Sequence, residues 1–499
     1  MAQVTEQSSS SLPPARPFPI ESLPTELLAC VLYHASQDTP LEIPLRFSLK
    51  NRSPRCQFYP AIALTWVCAR WRAIVLATPA CWSPESIDID LQAFADWSTD
   101  PVRHARTRAR CLALLECYLT RSGLVPLVMN LDGSDNEEWM QAIDVVRLAC
   151  SSAFRWQACR LPYFVADWLS ETPTCAAPLL LEEAHVEGPY IARADFFAKS
   201  PRLRQWQGPV TFDVDKPHLR WGQLTHLLVD HPSEFVSVQF LMGFIAHCRQ
   251  LVELGINVWR DPERAMPPRG AEVVLPHLLS VQFTLDDQDV LAHILASFTL
   301  PALSNLSLLG CNAIDDEWQE PFGHLRLQRW PVEEFEGFLE RSQCSLRTLH
   351  IIFLAIPQDD IIRIMHKLPH ISDFALDERE IKDGRGQPTS SSINDALLQR
   401  LSSVDGSAPE LLPRLERLAI KGVLNFDWQM LLTMVKSRTN PRLQHLHIFV
   451  DDSSRSDIDQ DTEERLMEHL GRYGFWNHCG VRLGWKRHPL LIDIEGMPT

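Results

Sequence analysis

Two clusters in this sequence have residue types and spacing that could do chemistry. His445 and His447 alternate along a strand-like run, so both imidazoles fall on one face and could share a metal ion. The sequence places no third ligand beside them. Asp457, Asp459 and Asp461 with Glu468 match positions 1, 3, 5 and 12 of a calcium loop. Two positions spoil the match: Thr462 stands where the sharp turn needs Gly, and Glu464 replaces the apolar anchor. The segment reads more simply as a polar loop in which Asp461 or Thr462 caps a helix running to Gly471.

Arg103, Arg106, Arg108 and Arg110 form a basic run that could steer an acidic partner; the simpler reading is the solvated side of a helix. The chain has no Gly-x-x-x-x-Gly-Lys-Ser/Thr phosphate loop, no His-Glu-x-x-His helix and no Gly-x-Ser-x-Gly elbow. Its 13 Cys include no Cys-x-x-Cys pair, which disfavours a zinc site or a disulfide framework and suits reduced core thiols. The expectation is therefore a chain with no catalytic residue, no metal and no cofactor.

The totals narrow the partners. With 63 acidic against 47 basic residues the formal net charge is −16, a field that repels phosphate backbones and disfavours generic nucleic-acid binding. No apolar run approaches the roughly 18 residues that a membrane span requires. Met1 to Pro17 is Ser- and Pro-rich without the apolar stretch of a secretion signal, and the reduced core thiols make the cytoplasm or nucleus the expected compartment.

The elements that would position any site begin with an amphipathic helix over Ile20–Ala35, with Leu27, Leu28, Val31, Leu32 and Ala35 on one face. Residues 37 to 60 carry Pro40, Pro44, Pro54 and Pro60 and read as a long loop. A second helix is expected over Leu64–Ala77, its stripe formed by Leu64, Val67, Cys68, Trp71, Ile74 and Val75. A third, Arg106–Thr120, leads through Ser122-Gly123 to a strand at Val125–Leu131.

At this point the chain resembles a known family. Ser22-Leu23-Pro24-Thr25-Glu26-Leu27-Leu28, then Val67-Cys68-Ala69-Arg70-Trp71-Arg72, then Thr78-Pro79-Ala80-Cys81-Trp82, is similar to the F-box. Arg121-Ser122-Gly123-Leu124-Val125-Pro126-Leu127 is similar to a segment that follows it in the F-box-like proteins abundant in mushroom-forming fungi. The resemblance covers roughly residues 19 to 131. It implies docking to the Skp-type adaptor of a cullin–RING ubiquitin ligase through Leu23, Pro24, Glu26, Leu27, Val31, Leu32, Leu64, Val67, Cys68, Trp71, Arg72 and Trp82. The spacing of 32 residues from Leu32 to Leu64 exceeds the usual F-box connection. That insertion motivates the alternative of a scaffold that keeps the fold without the adaptor contact.

Beyond residue 175 a Leu-x-x-Leu-x-Leu pattern recurs, starting at Leu224, Leu251, Leu278, Leu303, Leu346, Ile371, Leu415 and Leu443. An imperfect copy starts at Leu203, where Trp206 fits and Gly208 does not, and a weaker one at Leu181 with Ala184 and Val186. Pro276, Pro301, Pro369, Pro413 and Pro441 stand two residues before the first Leu of their copies, which marks a repeated structural position. Two long intervals read as repeats carrying insertions, one of them the Gly-, Pro- and Ser-rich Lys382–Ser392.

The expected class is α/β: a small all-helical F-box module followed by a leucine-rich-repeat-like solenoid with a parallel sheet. Its less specific competitor is a set of buried strands in an ordinary α/β domain. The expected divisions are a disordered tail at 1–18, the F-box-like domain at 19–95, connecting helices and first strands at 96–175, the solenoid at 176–450, and an acidic loop with a C-terminal cap at 451–499. Period-two alternation turns Asp230, Glu253, Asn257, Gln282, Asn305, His350, Asp373, Asp377, Arg417, Lys421, His445 and His447 outward, as candidates to hold a protein client. An enzyme with a pocket in the solenoid is the remaining alternative.

Overall fold

The computed structural model describes residues 20–37, 40–43, 59–95, 101–133, 137–172, 175–188, 195–210, 219–229, 236–261, 263, 266, 272–310, 330–352, 354, 356–378, 392–403, 408–422, 425–438, 443–450, 465 and 472–476. The expected tail at 1–18 and the calcium-like residues Asp457, Asp459, Asp461 and Glu468 lie outside these. The chain divides into two compact units, Met1–Cys159 and Arg160–Thr499.

The first unit runs α1 (Thr25–Gln37), β1 (Leu41–Ile43), α2 (Pro60–Val67), α3 (Ala69–Ala77), β2 (Ile87–Asp90), α4 (Gln92–Ala95), α5 (Pro101–Arg121), β3 (Leu127–Asp132) and α6 (Ile143–Cys150). The strand β4 (Trp156–Pro162) leads out of it. Three expectations change here. The single helix over Leu64–Ala77 is two helices, because Cys68 is extended (φ −158°, ψ 169°) and its sulfur accepts the Trp71 N–H as an N-cap for α3. Pro60 occupies the first turn of α2, where its missing N–H costs nothing. The break rephases the helix faces, so Ile74 and Val75 are buried while Val67 is exposed.

The second change concerns the Pro-rich connection, which is not all loop. Leu41–Ile43 pairs in parallel with Ile87–Ile89, and Ile87–Asp90 pairs with Met129–Asp132. Leu41, Ile43, Ile87, Ile89, Met129 and Leu131 alternate into the core, so the amino-terminal module is α/β and not all-helical. Third, Arg108 is not on a free solvated face. Its guanidinium binds Asp144 of α6 in two-point fashion, at 3.0 and 2.5 Å. Burial alone would raise the Asp144 carboxyl, but the hydrogen bonds and charge of Arg108 hold it below the usual carboxylate range.

The second unit runs α7 (Tyr163–Glu171), β5 (Glu183–Glu187), α8 (Asp195–Ala198), β6 (Gln205–Gln207), β7 (His226–Val229), β8 (Val236–Ser237), α9 (Val238–Ile245), β9 (Glu253–Trp259), β10 (Val273–Val274), β11 (Ser280–Leu285) and α10 (Gln288–Ser297). It continues with β12 (Phe298–Thr299), β13 (Asn305–Gly310), α11 (Val332–Ser342), β14 (Thr348–Ile352), α12 (Gln358–Lys367), β15 (Asp373–Glu378), α13 (Asp395–Leu401), β16 (Arg417–Gly422), α14 (Trp428–Ser437), β17 (His445–Val450) and β18 (Arg472–Trp476). Its sheet follows chain order, β5-β6-β7-β9-β11-β13-β14-β15-β16-β17-β18, every neighbour parallel, and it does not close. β18 lies within the segment expected to be loop and cap, so the sheet extends one strand further than the repeat pattern indicates.

Each strand from β5 to β17, the short β8, β10 and β12 apart, begins two residues after the first Leu of a repeat copy. The repeat residues enter the core: Leu254, Val281, Leu306, Leu349, Phe374, Leu418 and Leu446 form one buried row, with Ile256, Phe283, Leu308, Ile351, Leu376, Ile420 and Ile448 in the next. Each such side chain contributes roughly 1.5–3 kcal/mol of burial, and none could be covered by its own repeat alone.

The repeated proline has a more specific role than ending a helix. Leu278, Leu303, Ile371 and Leu415 donate their N–H to the residue three back, at 3.4, 3.2, 3.3 and 3.1 Å. The proline is therefore the second residue of a β-turn, where its fixed φ fits and its lack of an N–H costs nothing. The defect at Gly208 also has a physical reason. Its φ is +131°, and a Cβ there would lie 2.3 Å from the Val186 carbonyl oxygen, so an aliphatic residue cannot occupy the position.

Candidate functional site

The helices that carry the F-box-like residues leave large apolar side chains in water. Leu27 is 54% exposed and Val31 42%, one turn apart on α1; Trp66 is 75% and Val67 58% exposed at the end of α2. Arg70 donates to the Leu23 carbonyl at 2.7 Å, which fixes the α2–α3 junction beside the first turn of α1.

The other residues expected to meet an adaptor divide by burial. Pro24, Glu26 and Arg72 are exposed, and Leu23, Leu64, Cys68 and Trp71 are half-buried. Arg72 is also structural, its Nε donating to the Thr65 carbonyl at 2.8 Å. Leu32 and Trp82 are enclosed by their own chain. The Trp82 indole donates to the Val75 carbonyl at 2.9 Å, meets Tyr118 edge-on, and lies under the Arg121 guanidinium. These two hold the core and offer no surface.

Sequence reasoning missed Trp66. On a single helix it falls off the apolar stripe; the break at Cys68 removes that stripe and leaves the indole outside. A tryptophan on the polar side of a predicted helix is itself the signal that could have found it.

The outward face of the second unit's sheet is set by register. One column runs Gln205, His226, Glu253, Ser280, Asn305, Thr348, Asp373, Arg417, His445. The next runs Gln207, Leu228, Gly255, Gln282, Ser307, His350, Ala375, Ala419, His447. Asn305, His350, Asp373, His445 and His447 are half-buried and Arg417 is exposed. His226 stands 3.8 Å from Glu253, His350 stands 3.5 Å from Asp373, and Arg417 reaches the other Asp373 oxygen at 2.7 Å.

Part of the expected outward set is not open. Asn257, Gln282 and Asp377 are buried. Around Gly255 the cause is visible: Leu228 Cδ1 lies 2.3 Å from where a Gly255 Cβ would stand, so this leucine folds over the sheet face next to Gln282. Asp230 lies outside the described residues; Lys421 takes its place in β16 opposite Asp377, its side chain outside the described set.

Groups with chemical potential are few and dispersed. Among the described residues no group of three or more His, Cys, Asp or Glu stands close enough to hold a metal ion, and no helix is long and apolar enough to cross a membrane. Burial pushes the Cys111 and Cys344 thiols up to about 11 and that of Cys248 to about 12, which keeps them protonated and poorly nucleophilic at neutral pH. Burial lowers the His447 imidazole, and nearby His445 lowers it further, against the charge of Asp373.

Asp286 directly follows β11. Burial pushes it up to about 6, with Asp287 adding to the effect, against the Arg260 amide that donates to it at 3.1 Å. A carboxyl raised in the folded state begins to cost stability as pH rises past its ordinary value near 3.8, costs the full amount above about 6, and costs nothing where it is protonated in both states. Asp286→Asn keeps an acceptor for the Arg260 amide. The variant is expected to be more stable than the parent by about 1 kcal/mol at pH 8, after discounting for partial exposure, with the difference largely gone at about pH 3, below the ordinary carboxylate value. Urea midpoints at the two pH values check this; a variant weaker at both would assign Asp286 a different role.

Compared with known families and curated proteins, the chain matches no family model and no curated relative.

Proposed function

We propose that this chain is the substrate-receptor subunit of an SCF-type, cullin–RING ubiquitin ligase. Its F-box would hold a Skp-type adaptor, and a leucine-rich-repeat-like solenoid would hold a protein client. The observation that carries this reading is the set Leu27, Val31, Trp66 and Val67. These large apolar groups stay in water on the very helices that bear the F-box-like residues. Such groups in water favour a partner that covers them, and an amphipathic helix laid across α1 and α2 would do so.

The chain-ordered parallel sheet, with one strand at each repeat Leu, supports the solenoid half of the reading. The mechanism is proximity. Tethering raises the client's effective concentration beside ubiquitin-loaded chemistry performed by other subunits, by an amount on the order of millimolar for a short tether. This chain then needs neither a cofactor nor a catalytic residue, and its place of work is the cytoplasm or nucleus.

The decisive experiment is co-purification of the full chain with a Skp-type adaptor, beside an established F-box protein as positive control. Stable binding is expected. A folded chain that leaves the adaptor free while the control binds would leave the scaffold reading, to which the strand Leu41–Ile43 inside the expected insertion would then contribute.

A further inference from the structure

Four neighbouring strands carry a feature that the general reading of a client surface does not use. In register across β14, β15, β16 and β17 the outward row is His350, Ala375, Ala419, His447. Two imidazoles thus bound a floor of two methyl groups. Three strand spacings of about 4.8 Å separate the outer backbones by about 14 Å.

Along one rim, one pair of residues back, run Asp373, Arg417 and His445. Asp373 is engaged on both oxygens, by His350 at 3.5 Å and Arg417 at 2.7 Å, and its side chain is only 16% exposed. On the far rim Asp377 is buried. Both carboxylates here are thus paired or buried, and Arg417 is the donor left within reach. Arg417 is 47% exposed at its side chain and contacts Asp373 through one terminal nitrogen, so other guanidinium N–H groups remain for a ligand. The carboxylate also fixes the guanidinium's direction, so little freedom is lost when an anion binds.

We propose that this notch takes the acidic side chain, carboxylate or phosphoryl, of an extended protein segment, with Arg417 as the fixed donor and His350 and His447 as its walls. The proposal rests on the reading of the strand face as the client surface and narrows the client to one presenting an acidic residue in an exposed, extended stretch. His445, beside Arg417, supplies a second basic group.

The test uses the full chain and three fluorescein-labelled hexapeptides, hexaglutamate, a serine peptide with one phosphoserine, and hexalysine, followed by anisotropy at about 150 mM salt. There the chain's overall −16 charge is screened beyond about 8 Å, so any acidic peptide held must be held locally. Saturable binding of at least one acidic peptide and none of hexalysine is expected, and the stronger of the two acidic peptides identifies the oxyanion preferred. Arg417→Ala is expected to weaken that binding at least tenfold, and Arg417→Lys to restore part of it. Ala419→Leu fills the floor, leaves every charge in place, and is expected to weaken binding at least tenfold as well.

Ala419→Leu decides the matter should Arg417→Ala prove unstable. Acidic peptides that do not bind, hexalysine that binds as well as they do, or an Ala419→Leu chain that binds like the parent would each overturn the notch. Adaptor co-purification on the same preparations keeps the two proposals apart. An adaptor-bound chain deaf to acidic peptides sinks the notch alone, whereas acidic-peptide binding without adaptor sinks only the ligase reading.

Discussion

Leu27→Asp is expected to reduce affinity for a Skp-type adaptor at least a hundredfold while leaving the chain folded. Leu27 is more than half exposed, so the new carboxylate stays in water in the free protein, and its place in the first turn of α1 favours an acidic group there. In a docked complex the same position would lose the burial of a leucine, about 1.5–3 kcal/mol, and would enclose a charge without a partner. Together these exceed the roughly 2.7 kcal/mol that a hundredfold change requires.

Two companions make the result interpretable. Trp71→Ala, at a half-buried position beside the Cys68 break, is expected to weaken the same contact; its folded state must be checked by circular dichroism, since Trp71 also packs internally. Leu32→Asp is expected to unfold the first unit, because Leu32 has no exposed surface. Titration of the adaptor against the folded Leu27→Asp chain, read by calorimetry, is the measurement. Affinity equal to the parent's would move the interface away from α1.

Arg438→Ala is expected to lower the stability of the second unit by about 3 kcal/mol. The Arg438 side chain is buried at the end of α14 and donates from three nitrogens to three carbonyls: Leu401 at the end of α13, Leu411 and Leu412, at 2.8 to 2.9 Å. Leu412 has φ +47°, a backbone state that costs a branched side chain of order 1–3 kcal/mol and persists only where its surroundings hold it. Arg438 holds it, while Leu415 closes the turn from the other side.

Burial pushes the guanidinium's pKa down only to about 10, so it stays charged at neutral pH and keeps its donors. Arg438→Met, which keeps the stem but not the donors, is expected to lose most of the same energy, separating hydrogen bonding from packing. Urea unfolding of the three proteins measures both differences. An Arg438→Ala chain within about 0.5 kcal/mol of the parent would mean that water replaces the guanidinium at no cost.

The same device recurs in the first unit. Arg155, also buried, donates to the Leu119 carbonyl at 2.8 Å, the Val125 carbonyl at 3.1 Å and the Ser122 hydroxyl at 2.9 Å, closing the end of α5. Neither arginine announces itself in the sequence. Their partners are 30 or so residues away, so nothing local marks either side chain.

What the sequence by itself determined is the spine of the second unit. Leu254, Val281, Leu306 and their successors had to point inward, because alternation puts every second side chain on one face and that face is apolar in copy after copy. The turn prolines and the two-residue lag from repeat Leu to strand are local, set by backbone geometry within a few residues. The tertiary structure alone decided the rest. It split α2 from α3 at Cys68, and it recruited Leu41–Ile43 into a sheet by pairing with residues more than 40 positions away. It paired Arg108 with Asp144, and it closed Asn257, Gln282 and Asp377 off from solvent. Each of these turns on which distant group arrives to satisfy a hydrogen bond, accept a charge or cover a side chain, and spacing along a chain carries no record of that.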